Sequence, residues 1–562
     1  MSAAVSIVVP ARDVHDGPAR VARLLRAFAP LLAAALVCAV AASLVVPYPA
    51  GIFHDDGVYL VLAKALASGN GYRYLHLPGA PLATHYPPGY PLLLALLWTF
   101  APHFPSNLTI ILLANAALLG LVAWGSARYL IERLEWPSLA ATAFALVATL
   151  SLPLIQLTTL VMSEVLFLAL LFPVLTQSER SITAPRSVAH DVALGAATGG
   201  LALVRIHGLV LAIVVALLLA TRRQWRRAAF VVAGAAIVLL PWQLWVLLHD
   251  ATLPAPLRGS YGSYVAWLTD GISHGGPAFV ARTAARNAGE AAAILADRFA
   301  PWQFGMLRLI PLSFIVALLA FGALQLRRRA PVTTAFIAAY VLVMLLWPYS
   351  PWRFLWGVWP LVLLLAAEGA STIVRWRPAA RQAAFVRYAL FAPLALLALG
   401  LARAEIVAYR DRTWAAPVRD ATRSIAPVIR WISQNTRPHE AVIADAEPLV
   451  YLFTERPAMP PVAFTAAEYV TPRNAAADVA SLANLVGQFP VRYVITVVPS
   501  TIIAARALAL PTSTYRITLR EVDSLPGAAV FEVVRPSAAL PNAHSMTTRM
   551  RPAAVPQPEA AR

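Results

Sequence analysis

The stretch GIFHDDGVYL, residues 51–60, sets His54, Asp55 and Asp56 side by side between two apolar runs. Adjacent carboxylates at such an edge are costly unless they are solvated, paired, capping a helix or doing chemistry. Asp56 is placed to cap a helix predicted over 57–67, GVYLVLAKALA, which Gly69 then ends. One cap needs one side chain, so Asp55 is left over. A carboxylate beside a helix N-terminus can take a proton from a substrate hydroxyl. Asp55 is therefore the candidate general base, with Asp56 supporting it. Tyr59 and Lys64, the only lysine in the chain, follow on the same predicted helix and are candidates for substrate or phosphate binding.

Glu164, in TTLVMSEVLFLALLF (158–172), is the second anomaly. It falls within a predicted apolar span, where an ionisable group is a functional candidate by default; its bland role is as partner to an arginine. The basic candidates are Arg205, beside His207 in LVRIHGL, and Arg353, in the aromatic loop WPYSPWRFLWGVWP (347–360). A guanidinium matches phosphate bidentately, although anchoring among interfacial tryptophans would also explain Arg353. Asp56 and Glu164 could share a divalent cation such as Mg²⁺ or Mn²⁺, but His-Asp-Asp is not a recognised metal signature. Asp445 ends a predicted strand and suits a turn or cap.

The elements that position these residues follow from composition. Of 562 residues, 59% are hydrophobic and 13% charged, against about 25% charged in a soluble domain. Most of the chain must face lipid. The net charge of +18 gathers in short loops, TRRQWRR (221–227), LRRRAP (326–331) and VRWRPAARQAAFVR (374–387). That is the positive-inside pattern, not a nucleic-acid stripe with interleaved aromatics. A single cysteine, Cys38, excludes an intrachain disulfide.

Candidate spans are 28–48, 107–130, 138–154, 157–176, 190–204, 206–221, 228–248, 309–326, 331–348, 354–372 and 385–402, about eleven in all. Arg20, Arg23 and Arg26 precede the first, so residues 1–27 are expected in the cytoplasm. Alternation from there puts all three Arg-rich loops inside. The first span reads as an uncleaved anchor, although AVA (39–41) resembles a cleavage site. Two large loops, 49–106 and 249–308, fall outside the membrane. The first carries THYPPGYPLLLALLW (84–98), whose prolines start a short helix lying against the bilayer; the second carries an amphipathic helix over 279–299. From 403 to 536 the β-rich runs 440–445, 491–498 and 528–534 alternate with helices such as 474–488, predicting a small extracytoplasmic α/β domain. The Pro/Ala-rich tail 537–562 reads as disordered.

An acidic pair in the first outer loop, then HYPPGYPLLLAL, SEVLF and SPWRFLWGVWPLVLLLA, then a soluble α/β segment, resembles GT-C type membrane glycosyltransferases in its order. More narrowly it is similar to the protein mannosyltransferase and aminoarabinose lipid A transferase group, including the bacterial RgtA/B/C/D-like branch. The resemblance covers residues from about 20 to 535. It implies an enzyme of the cytoplasmic membrane that transfers a sugar, with inversion, from a polyprenyl-phosphate donor to an envelope glycan, lipid or protein acceptor on the outer face. It carries the catalytic acidic position onto Asp55, its neighbour onto Asp56, and the phosphate-facing basic position onto Arg353. Two departures stand out. The neighbour is often Glu, and a lysine often precedes the double proline where this chain has His85 and Tyr86. His85 is the candidate substitute. A transporter or flippase of lipid-linked or anionic substrates is the rival reading; it would place ionisable groups near the bilayer midplane and show paired halves.

Overall fold

The computed structural model describes residues 17–535 except 185, 302–304, 377–380, 464, 512–514 and 516. Residues 1–16 of the expected cytoplasmic segment, and the expected tail 537–562, lie outside the described residues.

Among the described residues five helices are long and apolar enough to cross a membrane: Leu108–Leu134, Glu164–Thr183, Trp225–Thr252, Leu309–Arg329 and Tyr388–Asp411. A further pair, Ser138–Thr149 and Leu152–Thr158, is long and apolar enough only when taken together and is bent by 61°, as a broken span or a re-entrant loop is. Shorter apolar helices, among them Phe28–Ser43, Val188–Val204, Gly208–Thr221 and Pro331–Leu346, pack between them. Leu244, Leu247, Leu248 and Leu399 stand exposed on these helices. Apolar surface of that extent has lipid as its solvent, and the chain is a membrane protein.

Three expected spans are corrected. The pair 138–154 and 157–176 is a bent pair followed by a helix that begins at Glu164. Pro153 starts the second arm of the bend, since its ring is tolerated only in a first turn. Thr158 and Thr159 then bond back to the carbonyls of Leu154 and Ile155. Glu164 is thus the first residue of its helix rather than an interior one. The span 354–372 is a short helix, Trp352–Trp356, and a second one, Trp359–Arg375, with Pro360 in its first turn.

At one end of the bundle Arg227 pairs with Asp191 and Arg329 bonds the carbonyl of Leu134. The segments 44–107 and 250–308 meet at the other end. There Thr84 donates to Asp250 at 2.9 Å and Trp245 to the Ala83 carbonyl at 2.9 Å. The expected helix after the double proline is Gly89–Phe100. The expected amphipathic helix is longer, Tyr264–Phe299, and breaks at Gly276, where φ is +55° beside Pro277.

The helix Arg381–Asp411 runs past residue 403, and an amphipathic helix, Ala416–Asn435, follows it. Then comes one five-stranded sheet: β1 (Val442–Ala444), β2 (Ala458–Met459), β3 (Tyr493–Thr496), β4 (Thr518–Leu525) and β5 (Ala528–Val534), in the order β2-β1-β3-β5-β4. β1 is parallel to β2 and β3, while β5 is antiparallel to β3 and β4. The central β1 and β3 are wholly buried, which is why they read as apolar runs; β4 is a mostly exposed edge. This sheet is seated on the bundle. Ala458 donates to the carbonyl of His76 at 2.7 Å.

Candidate active site

Asp55 opens the helix Asp55–Ala67, and the residue before it, His54, has φ 62° and ψ −65°. The Asp55 N–H bonds the Phe53 carbonyl at 2.7 Å. This is a γ-turn of the strained, positive-φ kind. It lifts Asp55 out of the loop and toward Arg353.

Arg353 holds two carboxylates. Its Nη1 donates to Asp55 Oδ2 at 2.5 Å, while Nε and Nη2 lie 3.1 and 2.9 Å from Glu164 Oε1. Arg205 Nη1 reaches the same Oε1 at 2.8 Å and Ser163 Oγ at 3.0 Å. Tyr86 donates to Asp55 Oδ1 at 2.6 Å, and Tyr59 shares a 3.2 Å hydrogen bond with Ser163. Five separated stretches of chain therefore form one network, Tyr86–Asp55–Arg353–Glu164–Arg205–Ser163–Tyr59. Asp55, Glu164, Arg205, Arg353 and Tyr59, nominated on sequence grounds, stand together in it.

Electrostatics separate the two adjacent aspartates. Burial pushes the Asp55 carboxyl up, but Arg353, His54 and the Tyr86 hydrogen bond outweigh it and hold its pKa at about 2. For Asp56 burial prevails and the pKa is raised. Asp56 is fully buried and accepts from Tyr48 at 3.0 Å and from the N–H groups of Gly51 and Phe53 at 2.8 and 3.0 Å. It sits in the first turn and ties down the loop before the helix, instead of capping the helix as the spacing suggested.

The network forms one wall of a cavity of about 350 Å³ that Asp55, Tyr59, His85, Arg205 and Arg353 line. His207 also faces it. Both ring nitrogens of His207 and Oε2 of Glu164 are buried with no hydrogen-bond partner among the described residues. Of these two residues only His207 belongs to the cavity lining, and an orphaned polar group there is what a polar ligand satisfies. A second cavity of about 520 Å³, lined by apolar side chains such as Leu209, Ile213, Val232 and Leu239, shares His85, Pro87, Ile206, Tyr264 and Trp347 with the first. The polar cavity thus continues into an apolar groove between the helices Gly208–Thr221 and Trp225–His249.

Three nominations change. Lys64 lies nine residues beyond Asp55, about 13 Å along the helix, and bonds Glu455 at 3.0 Å, away from the cavity. In the suggested cation site Asp56 is spent on three hydrogen bonds, and Glu164 meets two guanidiniums through Oε1. Among the described residues no group of three or more His, Cys, Asp or Glu is placed to hold a metal ion. His85 lines the cavity, but its Nδ1 lies 2.5 Å from the carbonyl of Gly262, an acceptor, so the proton resides on Nδ1. Burial lowers its pKa to about 4 and keeps the ring neutral. Nε2 is then an acceptor, unable to replace a phosphate-binding lysine. Asp445 receives the N–H groups of Val497 and Val498 and the hydroxyls of Thr496 and Thr501, and so holds the turn that follows β3. Glu447, which also lines the cavity, was not anticipated; it looks in sequence like any glutamate of a first helical turn.

No protein-family model matches the chain, and no curated protein sequence matches it. Among solved structures, ArnT from Cupriavidus metallidurans in the apo state aligns over 92% of this chain and 98% of its own, at 16% identity and a TM-score of 0.50. The same protein bound to undecaprenyl phosphate gives 0.49 at 16% identity over the same shares of the two chains, 92% and 98%. AglB from Archaeoglobus fulgidus, an archaeal oligosaccharyltransferase in complex with an inhibitory peptide and a dolichol-phosphate, gives 0.48 at 12% identity over 87% and 74% of the two chains. ArnT and AglB are GT-C glycosyltransferases. The chain has the ArnT fold, so the resemblance read from the sequence holds at the level of the fold.

Proposed function

We propose that this protein is a membrane glycosyltransferase that moves a sugar from a polyprenyl-phosphate donor to an envelope acceptor on the outer face of the cytoplasmic membrane, with inversion. The observation that carries this reading is one cavity in which an ionised carboxylate, Asp55, stands beside two guanidiniums at the mouth of an apolar groove. The prenyl chain lies in the groove, and Arg353 and Arg205 take the phosphate. Asp55 receives the proton of the acceptor hydroxyl as its oxygen bonds the anomeric carbon. The bond from that carbon to the phosphate oxygen breaks, and its electron pair leaves on the polyprenyl phosphate, whose charge the arginines stabilise. A phosphate competes with Asp55 for Arg353, so donor binding frees the base and lets its pKa rise. The ionisable groups gather at one end of the bundle, which favours transfer over transport.

The chain in this reading crosses the membrane about eleven times over 28–402, with its N-terminus in the cytoplasm and the 403–536 segment outside. The test is release of polyprenyl phosphate and incorporation of labelled sugar when purified protein meets undecaprenyl-phosphate hexose or pentose donors and envelope extract from deletion cells. Failure of every donor overturns the function. Labelling of Asn70→Cys and Gln434→Cys, in a Cys38→Ser background, by an impermeant reagent on intact spheroplasts tests the orientation; protection of either site overturns it.

A further inference from the structure

The geometry points to a second working pair in the cavity, His54 and Glu447, which binds the hydroxyls of a carbohydrate acceptor and through which the sheet-bearing C-terminal segment takes part in substrate selection. This rests on the transferase reading.

The helix Glu447–Thr454 is pressed onto the acidic loop. A Cβ on Gly51 would lie 2.6 Å from Leu449 Cβ, and one on Gly57 would lie 2.8 Å from Pro448 Cβ. The two glycines that flank His54, Asp55 and Asp56 are therefore what lets the C-terminal segment seat there. The seat delivers Glu447, 3% exposed, to the cavity. Its Oε1 accepts the hydroxyl of Tyr261 and lies 3.6 Å from His54 Nδ1. His76 Nε2 holds that same tyrosine oxygen at 2.8 Å. Among the described residues every contact of the carboxylate falls on Oε1.

His54 supplies an independent observation. Its γ-turn is a strained conformation for a side-chain-bearing residue, held because Asp56 ties the N–H groups of Gly51 and Phe53 and the Tyr261 ring packs 5.5 Å away. The strain sets the imidazole next to both Asp55 and Glu447. A buried carboxylate repels phosphate, so this corner is not where the donor's leaving group sits. A carboxylate beside an imidazole instead accepts from one hydroxyl and exchanges a hydrogen bond with its neighbour, the pattern of a sugar diol. Tyr264, Trp267 and Trp347, which line the same cavity, offer rings on which a sugar can stack, with the Tyr264 and Trp347 ring centres 5.4 Å apart.

The test measures acceptor and donor kinetics with the delipidated envelope polysaccharide as acceptor probe, for wild type, Glu447→Gln, Glu447→Asp and His54→Gly. Glu447→Gln and His54→Gly should raise the acceptor KM roughly 10- to 100-fold, the size of a hydrogen bond to a charged group. Donor KM should hold in Glu447→Gln. Glu447→Asp should recover part of the loss. His54→Gly, which relieves the γ-turn, should melt no lower than wild type, so its kinetic defect cannot be ascribed to unfolding, and it decides the matter if Glu447→Gln fails to fold. An unchanged acceptor KM in His54→Gly, or label entering only a protease-sensitive fraction, would overturn the pair while leaving the transferase standing. A wild type that cleaves no donor would remove both.

Discussion

Two arginine–aspartate pairs sit at opposite ends of the bundle and are built differently. Asp191 and Arg227 are a closed clamp. Nε meets Oδ2 at 2.8 Å, Nη2 meets Oδ1 at 2.8 Å, and the remaining donors go to Ser181, Ala184 and Gln224. Asp55 and Arg353 meet through a single 2.5 Å contact, and Arg353 divides itself between Asp55 and a glutamate that Arg205 also claims. A pair that holds helices together uses every donor. A pair that shares its partners beside orphaned atoms and a cavity is poised to exchange one of them for a ligand.

Neutralising each aspartate separates the two designs. Asp55→Asn keeps shape but cannot take a proton, so sugar transfer per folded protein should fall roughly 10²–10⁴-fold, the usual worth of a general base. Asp191→Asn should lower yield and Tm and leave turnover of the folded fraction intact. Equal losses of turnover would erase the distinction.

Arg353→Ala comes next. The donor KM should rise roughly 10- to 100-fold, as for loss of a charge-assisted hydrogen bond, with the acceptor KM unmoved. The pH profile gives a second reading. Arg353 keeps Asp55 ionised down to about 2; without it burial prevails and the pKa climbs toward and past the ordinary carboxylate value. A reaction that needs the ionised base then fails at higher pH, so the acid limb of kcat/KM shifts upward. A limb that stays put would detach Asp55 from Arg353.

The contrast between the pairs was half legible in the sequence. Asp55, Glu164, Arg205 and Arg353 announced themselves because an ionisable group beside apolar sequence needs a reason. Glu447 and His54 did not. Their meaning comes from a contact across almost four hundred residues and from a backbone conformation, neither of which leaves a periodic trace. The apolar helices were legible except where Pro153 and Pro360 start new helices inside apolar runs. β2 is two residues long and β4 a polar edge, so neither carries the apolar signal that revealed β1, β3 and β5.

Asp56→Asn should be milder than either change at Asp55 or Arg353. Asparagine can still accept one of the loop N–H bonds, so Tm drops and turnover falls less than tenfold; a loss as deep as that of Asp55→Asn would mean the roles are exchanged.

The smallest effect belongs to Lys64. As the only lysine, on the same helix as Asp55, it was a natural phosphate ligand, but its ammonium pairs with the exposed Glu455 and lies 5.0 Å from the centre of the Tyr451 ring. An ion pair with one partner in solvent contributes about 0–1 kcal/mol. Lys64→Ala should therefore change donor KM less than twofold and lower Tm slightly, and Glu455→Ala should do the same. A donor KM that rose with Lys64→Ala as it does with Arg353→Ala would show that the C-terminal segment shifts on donor binding and releases Lys64 to the phosphate. The helix Glu447–Thr454 would then be a moving part of the site, and the close seat at Gly51 and Gly57 would be one of two positions it occupies.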